Sequence, residues 1–278
     1  MPFTTLRDGA QLYYKDWNPQ GSTHTAVFSH GWPLSADAWD KQMFFLASRG
    51  VRVVAHDRRG HGRSEQTWER NDVDNWADDL AELIDKLDLK NIVLVGHSTG
   101  GGEVARYTKR HGQSRVSKIV FISSVVPKTV KSETSPDGVP VEVFDSFRAA
   151  MLHDRAQFFT EVPAGPFFGF NRPAVKDKVS KGLIDSWFTV GMQASLKAVY
   201  ETTYSWEVDY SEDLKALDIP ALFIQGDDDQ IVPVQAGAYA AIKLLKHGTL
   251  KIYPGGAHGI IDTEPDSINQ DLLGFIKG

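Results

Sequence analysis

Gly96-His97-Ser98-Thr99-Gly100 follows an apolar run, Ile92-Val93-Leu94-Val95, and precedes a helix-forming run, Gly101-Gly102-Glu103-Val104-Ala105-Arg106-Tyr107. Strand, sharp turn and helix, with a serine at the apex, is the context a nucleophile elbow needs. Crowding explains the glycines. The turn is too tight for side chains around Ser98, and the strained serine backbone lifts its hydroxyl clear of the sheet. The same letters also describe a glycine-rich strand–helix turn with a capping serine; the flanking strand and helix favour the elbow.

Towards the N-terminus, residues 3–7 and 11–17 read as two strands joined at Asp8-Gly9, a hairpin dipeptide. A turn at residues 19–22 follows. Thr25-Ala26-Val27-Phe28-Ser29 then reads as a buried strand that runs into His30-Gly31-Trp32-Pro33. Acyl transfer needs backbone N–H groups to hold an oxyanion. With Ser98 as nucleophile, one comes from the next residue, Thr99, and the other from a loop after an earlier strand. Trp32 fits the second place. Pro33 lacks an N–H and has a fixed φ, so it stiffens the peptide after Trp32. The loop is otherwise a plain turn between strand and helix.

Residues 35–49 have helical periodicity, with Trp39, Met43 and Leu46 on one face, and residues 51–55 form the next strand. Asp57-Arg58-Arg59-Gly60-His61-Gly62-Arg63-Ser64 is dense in charge and reads as a paired structural turn near the site's rim. A helix spans residues 71–87, and a strand spans 118–122. Alternating strands and helices argue for a mostly parallel sheet with helices on both faces, which binds ligands at the strands' carboxyl ends.

From residue 123 to 213 the chain turns helical and aromatic, with Phe144, Phe147, Phe158, Phe159, Phe167, Phe168, Phe170, Trp187, Phe188 and Trp206. This predicts a helical cap inserted into an α/β core of residues 1–122 and 214–278. Val125, Phe158, Phe167, Ile231 and Val232 are the pocket candidates; most of the aromatic residues are expected to pack the cap onto the core. The sheet resumes at 219–225, followed by Gly226-Asp227-Asp228-Asp229-Gln230, a helix at 234–246 and a strand at 250–253. Gly255-Gly256-Ala257-His258-Gly259 presents a histidine, and residues 265–276 form the last helix.

Serine needs a base, and the base needs an orienting group. Of nine histidines, only His258 follows the last strand on a glycine-rich loop. Among the acids, Asp229 stands farthest past its strand and is preferred from position; Asp227 would brace the turn and Asp228 would face water. The order serine, acid, histidine is that of α/β-hydrolases. The three adjacent aspartates lack the alternating ligand spacing of a calcium loop.

Composition narrows the classes. The chain has 278 residues and a formal charge of −6 with both signs interspersed, which disfavours nucleic acid as a partner. It has no cysteine, hence no thiolate nucleophile and no cysteine-ligated metal. No apolar run approaches the roughly 18 to 20 residues of a membrane span, and the first residues lack a signal-peptide core. The expectation is a cytoplasmic protein without membrane contact.

The chain resembles the α/β-hydrolase superfamily. Within it, the chain is similar to the cofactor-free bacterial haloperoxidases (non-haem chloroperoxidases, or perhydrolases) and their arylesterase relatives. The resemblance runs nearly end to end and rests on His30-Gly31-Trp32-Pro33-Leu34, the 57–64 turn, Gly96 to Val104, Gly165-Pro166-Phe167-Phe168-Gly169 and Asp227-Asp228-Asp229-Gln230-Ile231-Val232-Pro233. It implies a triad of Ser98, Asp229 and His258, oxyanion donors at Trp32 and Thr99, no cofactor or metal, and a homo-oligomer. It further implies an acyl-enzyme formed from a small-molecule ester or carboxylic acid. Water would complete hydrolysis, and hydrogen peroxide would give a peracid able to oxidise halide. Haloperoxidase-like members carry proline after the oxyanion tryptophan, so Pro33 is the candidate for selecting peroxide as acceptor. The family pattern leads one to expect an aromatic residue at His56, a histidine at Gln225 and a proline at Ala257; none is a triad position. A lactone, lactam or carbon–carbon bond hydrolase would use the same triad. A ligand-binding receptor on this fold is the non-enzymatic alternative.

Overall fold

A computed structural model describes residues 2–18, 20–169 and 179–278. Pro19 of the expected turn and Phe170 of the expected cap lie outside the described residues. Eight strands form one sheet: β1 (Phe3–Thr5), β2 (Gln11–Trp17), β3 (His24–Ser29), β4 (Val51–His56), β5 (Ile92–His97), β6 (Val116–Ile122), β7 (Ala221–Gly226) and β8 (Gly248–Tyr253). Their spatial order is β1-β2-β4-β3-β5-β6-β7-β8. The hairpin β1–β2 and the β2–β4 pair are antiparallel, and every later pairing is parallel. The strand order reverses between β3 and β5, whose ends pair Ser29 with Gly96. A crevice opens at such a switch point. The loop bearing Trp32 and the turn bearing Ser98 both start there.

Alternation along the strands divides the core between the faces. Ala26, Phe28, Val93, Val95, Val120 and Ile122 point to one face, packed by Met43 and Leu46 of α1 (Asp40–Ala47) and by Ile268, Leu272 and Ile276 of the C-terminal helix (Pro265–Lys277). Val27, Leu94, Ile119 and Phe121 point to the other. There α2 (Val73–Lys86) contributes Trp76, Leu80, Leu83 and Ile84, and α3 (Thr99–His111) contributes Val104 and Ala105. Asp72 caps α2 by accepting from the Asn75 N–H at 3.0 Å.

Between β6 and β7 lie α4 (Val141–Val162), a π-type turn (Pro163–Phe167), α5 (Lys181–Gln193), α6 (Leu196–Thr202), a 3-10 turn (Thr203–Trp206) and α7 (Ser211–Lys215). The segment expected at 123–213 does not begin or end cleanly there. Ser123 N–H still bonds Ile224 O at 2.9 Å, continuing the strand end, and residue 213 falls inside α7.

Two other expectations change. The helix expected at 234–246 shrinks to α8 (Ala238–Ala241). Its first N–H, from Ala238, donates to the Gln225 side chain at 2.9 Å rather than to a preceding helical carbonyl, and Gly237 departs from helical geometry (φ −86, ψ −104). The arginine-rich turn is more deeply buried than a rim position implies, and of its three arginines only Arg63 is exposed. Arg59 pairs with Asp79, and Arg58 with Glu103 of α3. The remaining helices are α9 (Ile260–Thr263) and α10, the C-terminal helix already described. Among the described residues no helix is long and apolar enough to cross a membrane.

Candidate active site

Ser98 sits between β5 and α3 with φ 52 and ψ −120, a conformation that costs a non-glycine residue energy and is held by its surroundings. A Cβ on Gly100 would lie 2.2 Å from the backbone oxygen of Ser29, and one on Gly96 would lie 2.4 Å from Gly100 O. Glycine is therefore required for α3 to start against β3 and β5. The Ser98 N–H donates to Ile122 O at 3.0 Å, and its carbonyl accepts from Val125 N–H at 3.2 Å. With the backbone held on both sides, the hydroxyl faces the crevice.

His258 Nε2 lies 3.0 Å from Ser98 Oγ. Its Nδ1 lies 2.9 Å from Asp229 Oδ2 and 3.1 Å from Oδ1. A carboxylate accepts, so Nδ1 carries the proton and the Nε2 lone pair faces the serine. Asp229 is held in turn: the N–H groups of Ile231 and Val232 donate to Oδ1, each at 2.9 Å, and Gln225 Nε2 donates to Oδ2 at 3.2 Å. Asp227 instead accepts from Gly255 N–H at 2.6 Å, bracing the loop that carries His258, while Asp228 is half-buried. Of the three adjacent acids, Asp229 is the one in contact with the histidine.

The loop after β3 brings Trp32 to the same crevice, with a cis Trp32–Pro33 peptide. Neither the Trp32 N–H nor the Thr99 N–H makes a hydrogen bond within the described residues. His30 Nε2 accepts from Arg58 N–H at 2.9 Å, so its Nδ1–H donates to Gly31 O, also at 2.9 Å. That bond holds the carbonyl of the peptide whose N–H belongs to Trp32. Burial and the Arg58 charge hold His30 well below its ordinary pKa. His97 donates Nε2–H to His258 O at 3.1 Å, and burial together with His258 lowers its pKa to about 3. Both flanking histidines are therefore neutral supports. Pro33 packs against α5, 3.1 Å from where a Cβ on Gly191 would stand.

Ser98 and His258 open on a narrow cavity of about 70 Å³. Of the pocket candidates, Val125, Phe167, Ile231 and Val232 line it. Phe158 does not: its ring stands behind Phe147, 5.1 Å between centroids, in the packing around Trp32. The helical periodicity of α4 carries Val143, Phe144 and Phe147 to the wall instead, joined by Trp206. Their one-face spacing was the available signal. Among the described residues that line it there is no lysine, arginine or carboxylate.

The departures from the family pattern have definite places. His56 Nε2 meets Glu103 Oε1 at 2.8 Å, and Ala257 is buried. Gln225 touches Asp229 and also donates to Val232 O at 2.7 Å.

Comparison with known proteins agrees with this architecture. Residues 27–265 match the α/β hydrolase fold family. The chain is 50% identical over 278 residues to a non-heme haloperoxidase of Rhodococcus erythropolis, covering 100% of both. It is 47% identical, again over 100% of both chains, to a bifunctional esterase/perhydrolase of Acinetobacter calcoaceticus. A bromoperoxidase of Bacillus anthracis has a crystal structure that superposes with a TM-score of 0.91 at 34% identity, covering 97% of this chain and 96% of that one. With a serine elbow at the sheet's switch point and end-to-end similarity to such enzymes, the chain belongs to the α/β-hydrolase fold family and, within it, to the group of the non-heme haloperoxidases.

Proposed function

We propose that the protein is a serine esterase and perhydrolase, in which Ser98 is the nucleophile, His258 the general base and acid, and Asp229 the group that orients it. The observation that carries this reading is the continuous Ser98–His258–Asp229 hydrogen-bonded chain at the floor of an apolar cavity. Ser98 Oγ attacks the carbonyl carbon of a small ester while His258 Nε2 takes its proton. The N–H groups of Trp32 and Thr99 hold the negative oxygen that forms. The tetrahedral species collapses as His258 returns the proton to the leaving alcohol, and an acyl-enzyme remains. Water then gives a proton to His258 and attacks the acyl carbon; the bond to Ser98 Oγ breaks as His258 passes that proton to the serine, releasing the carboxylic acid and the free enzyme. Hydrogen peroxide taking the same path yields a peracid, which oxidises halide in solution. The acyl-enzyme also forms from a carboxylic acid with loss of water. This chemistry uses protein groups alone.

Several further features support the reading. The Acinetobacter relative is named for both activities. The cavity wall suits an uncharged acyl group. Pro33, following the Trp32 donor, is the proposed selector of peroxide over water, and the helical segment between β6 and β7 is the proposed cap. We take the compartment to be the cytoplasm and the working form to be a homo-oligomer, as the resemblance to the haloperoxidase group implies.

The test pairs p-nitrophenyl acetate hydrolysis with monochlorodimedone bromination in acetate, hydrogen peroxide and bromide. Ser98→Ala is expected to lower both by about four to six orders of magnitude. Pro33→Leu is expected to lower the ratio of bromination to hydrolysis. Retention of either activity in Ser98→Ala would refute the shared acyl-enzyme, and an unchanged ratio in Pro33→Leu would remove that residue's role.

A further inference from the structure

The two residues proposed as oxyanion donors are each tied through their side chains to the helical segment between β6 and β7. Trp32 donates its indole Nε1–H to Val199 O of α6 at 2.9 Å. In the opposite direction, Trp206 donates its indole Nε1–H to Thr99 Oγ1 at 3.0 Å. Both bonds are buried, and an indole nitrogen can only donate, so their directions are fixed. The two indoles meet edge to face, with centroids 5.2 Å apart and planes at 89°.

This part of the segment is fastened to the core at its start and to the stretch just after β6 at its end. Ser195 N–H donates to Gly60 O at 2.8 Å, and Tyr210 N–H donates to Pro127 O at 2.8 Å. A Cβ on Gly60 would stand 2.3 Å from the Ala198 side chain, so α6 is seated directly on the arginine-rich turn. Tyr210 Oη reaches back to Ser205 O at 2.9 Å, holding the 3-10 turn that carries Trp206.

From these contacts we propose that the segment from α6 to Trp206 is a built-in clamp on the oxyanion site, with Trp206 as a positioning residue that acts through Thr99. The inference rests on the reading of the Trp32 and Thr99 N–H groups as oxyanion donors. Such donors work only when aimed at the charge of the transition state, and small misplacements are expensive. Thr99 opens α3, where its amide has no helical partner, and its side chain is the handle by which Trp206 holds that turn. An oxyanion exists only after attack, so a loosened clamp lowers kcat and leaves KM in place.

The experiment is a double-mutant cycle with Trp206→Phe and Thr99→Val, read by steady-state hydrolysis of p-nitrophenyl acetate and by inhibition with a small alkyl boronic acid, which forms a tetrahedral adduct on the serine. Each single variant is expected to lower kcat by about 10-fold with KM within about twofold, and to weaken the boronic acid by a similar factor. The double variant is expected to be no worse than the more damaged single one, because both remove the same bond. Losses that multiply in the double variant, or that fall on KM alone, would overturn the proposal and leave Trp206 as a wall of the cavity. Thermal melts identify a variant that fails to fold, and the other single variant then still reports the kcat and KM split. If Ser98→Ala retained activity, the underlying site assignment would fall. If Ser98→Ala is inactive and the cycle is additive, only the clamp falls.

Discussion

Gln225 works through its amide fork. Its Nε2 donates to Asp229 Oδ2 and Val232 O, while its Oε1 accepts from Ala238 N–H. One fully buried side chain thus ties the acid, the strand end and the start of α8 together. Leucine at this position is similar in size and satisfies none of the three. Gln225→Leu is expected to destabilise the fold by about 1–3 kcal/mol, the usual cost of stranded buried polar groups, and to lower hydrolysis because Asp229 loses a donor. Urea unfolding and steady-state rates measure the two effects separately; unchanged values for both would show that the contact carries no weight.

At the scale of the element, the elbow depends on the closeness of α3 to β3 and β5. Gly100 stands where any side chain would meet the Ser29 carbonyl at 2.2 Å, and a backbone atom in a central strand cannot swing aside. Gly100→Ala is therefore expected to cost more than about 4 kcal/mol, in the range reserved for severe core disruption. By contrast, Asp72→Ala removes only the cap of α2 and is expected to cost about 1 kcal/mol. Melting temperatures of the two variants should fall in that order. If Gly100→Ala melted like the wild type, the account of the strained turn would be wrong.

Across the whole molecule, the chemistry is surrounded by buried histidines that the fold keeps uncharged. Burial, with Arg58 adding repulsion, lowers His61 to about 3, and burial with His258 lowers His97 to about 3, against an ordinary value of 6.5. In the unfolded chain these rings take up protons near pH 6.5; in the folded chain they do so only near pH 3. The unfolded state therefore binds more protons between those limits, and stability falls as pH drops through that window. Glu103 adds to this from below its ordinary 4.5. Despite a burial penalty, Arg58 and His56 hold its carboxyl down to about 2, so its contribution is full above pH 4.5 and fades toward pH 2. Urea midpoints measured at pH 7.5, 6, 5 and 4 should decline progressively, and His97→Asn should flatten the decline. A midpoint constant across this series would contradict the neutral-histidine assignment.

The amino-acid sequence alone determined the alternation of strands and helices, the elbow at Ser98, the loop at Trp32 and the order of serine, acid and histidine. The strands, helices, elbow and loop each depend on periodicity or turn chemistry within about ten residues, where the chain's own geometry sets the pattern, and the order is read directly along the chain. Tertiary structure decided the rest. It brought Val143, Phe144 and Phe147 rather than Phe158 to the cavity wall, and it buried Arg58 and Arg59 of the arginine-rich turn. It shortened the helix at 234–246 by lending the Gln225 side chain to Ala238. It also joined Trp206 to Thr99 across 107 residues of chain. Such pairings depend on strand register and on how a helix seats against a turn far away in sequence, and no local pattern encodes either.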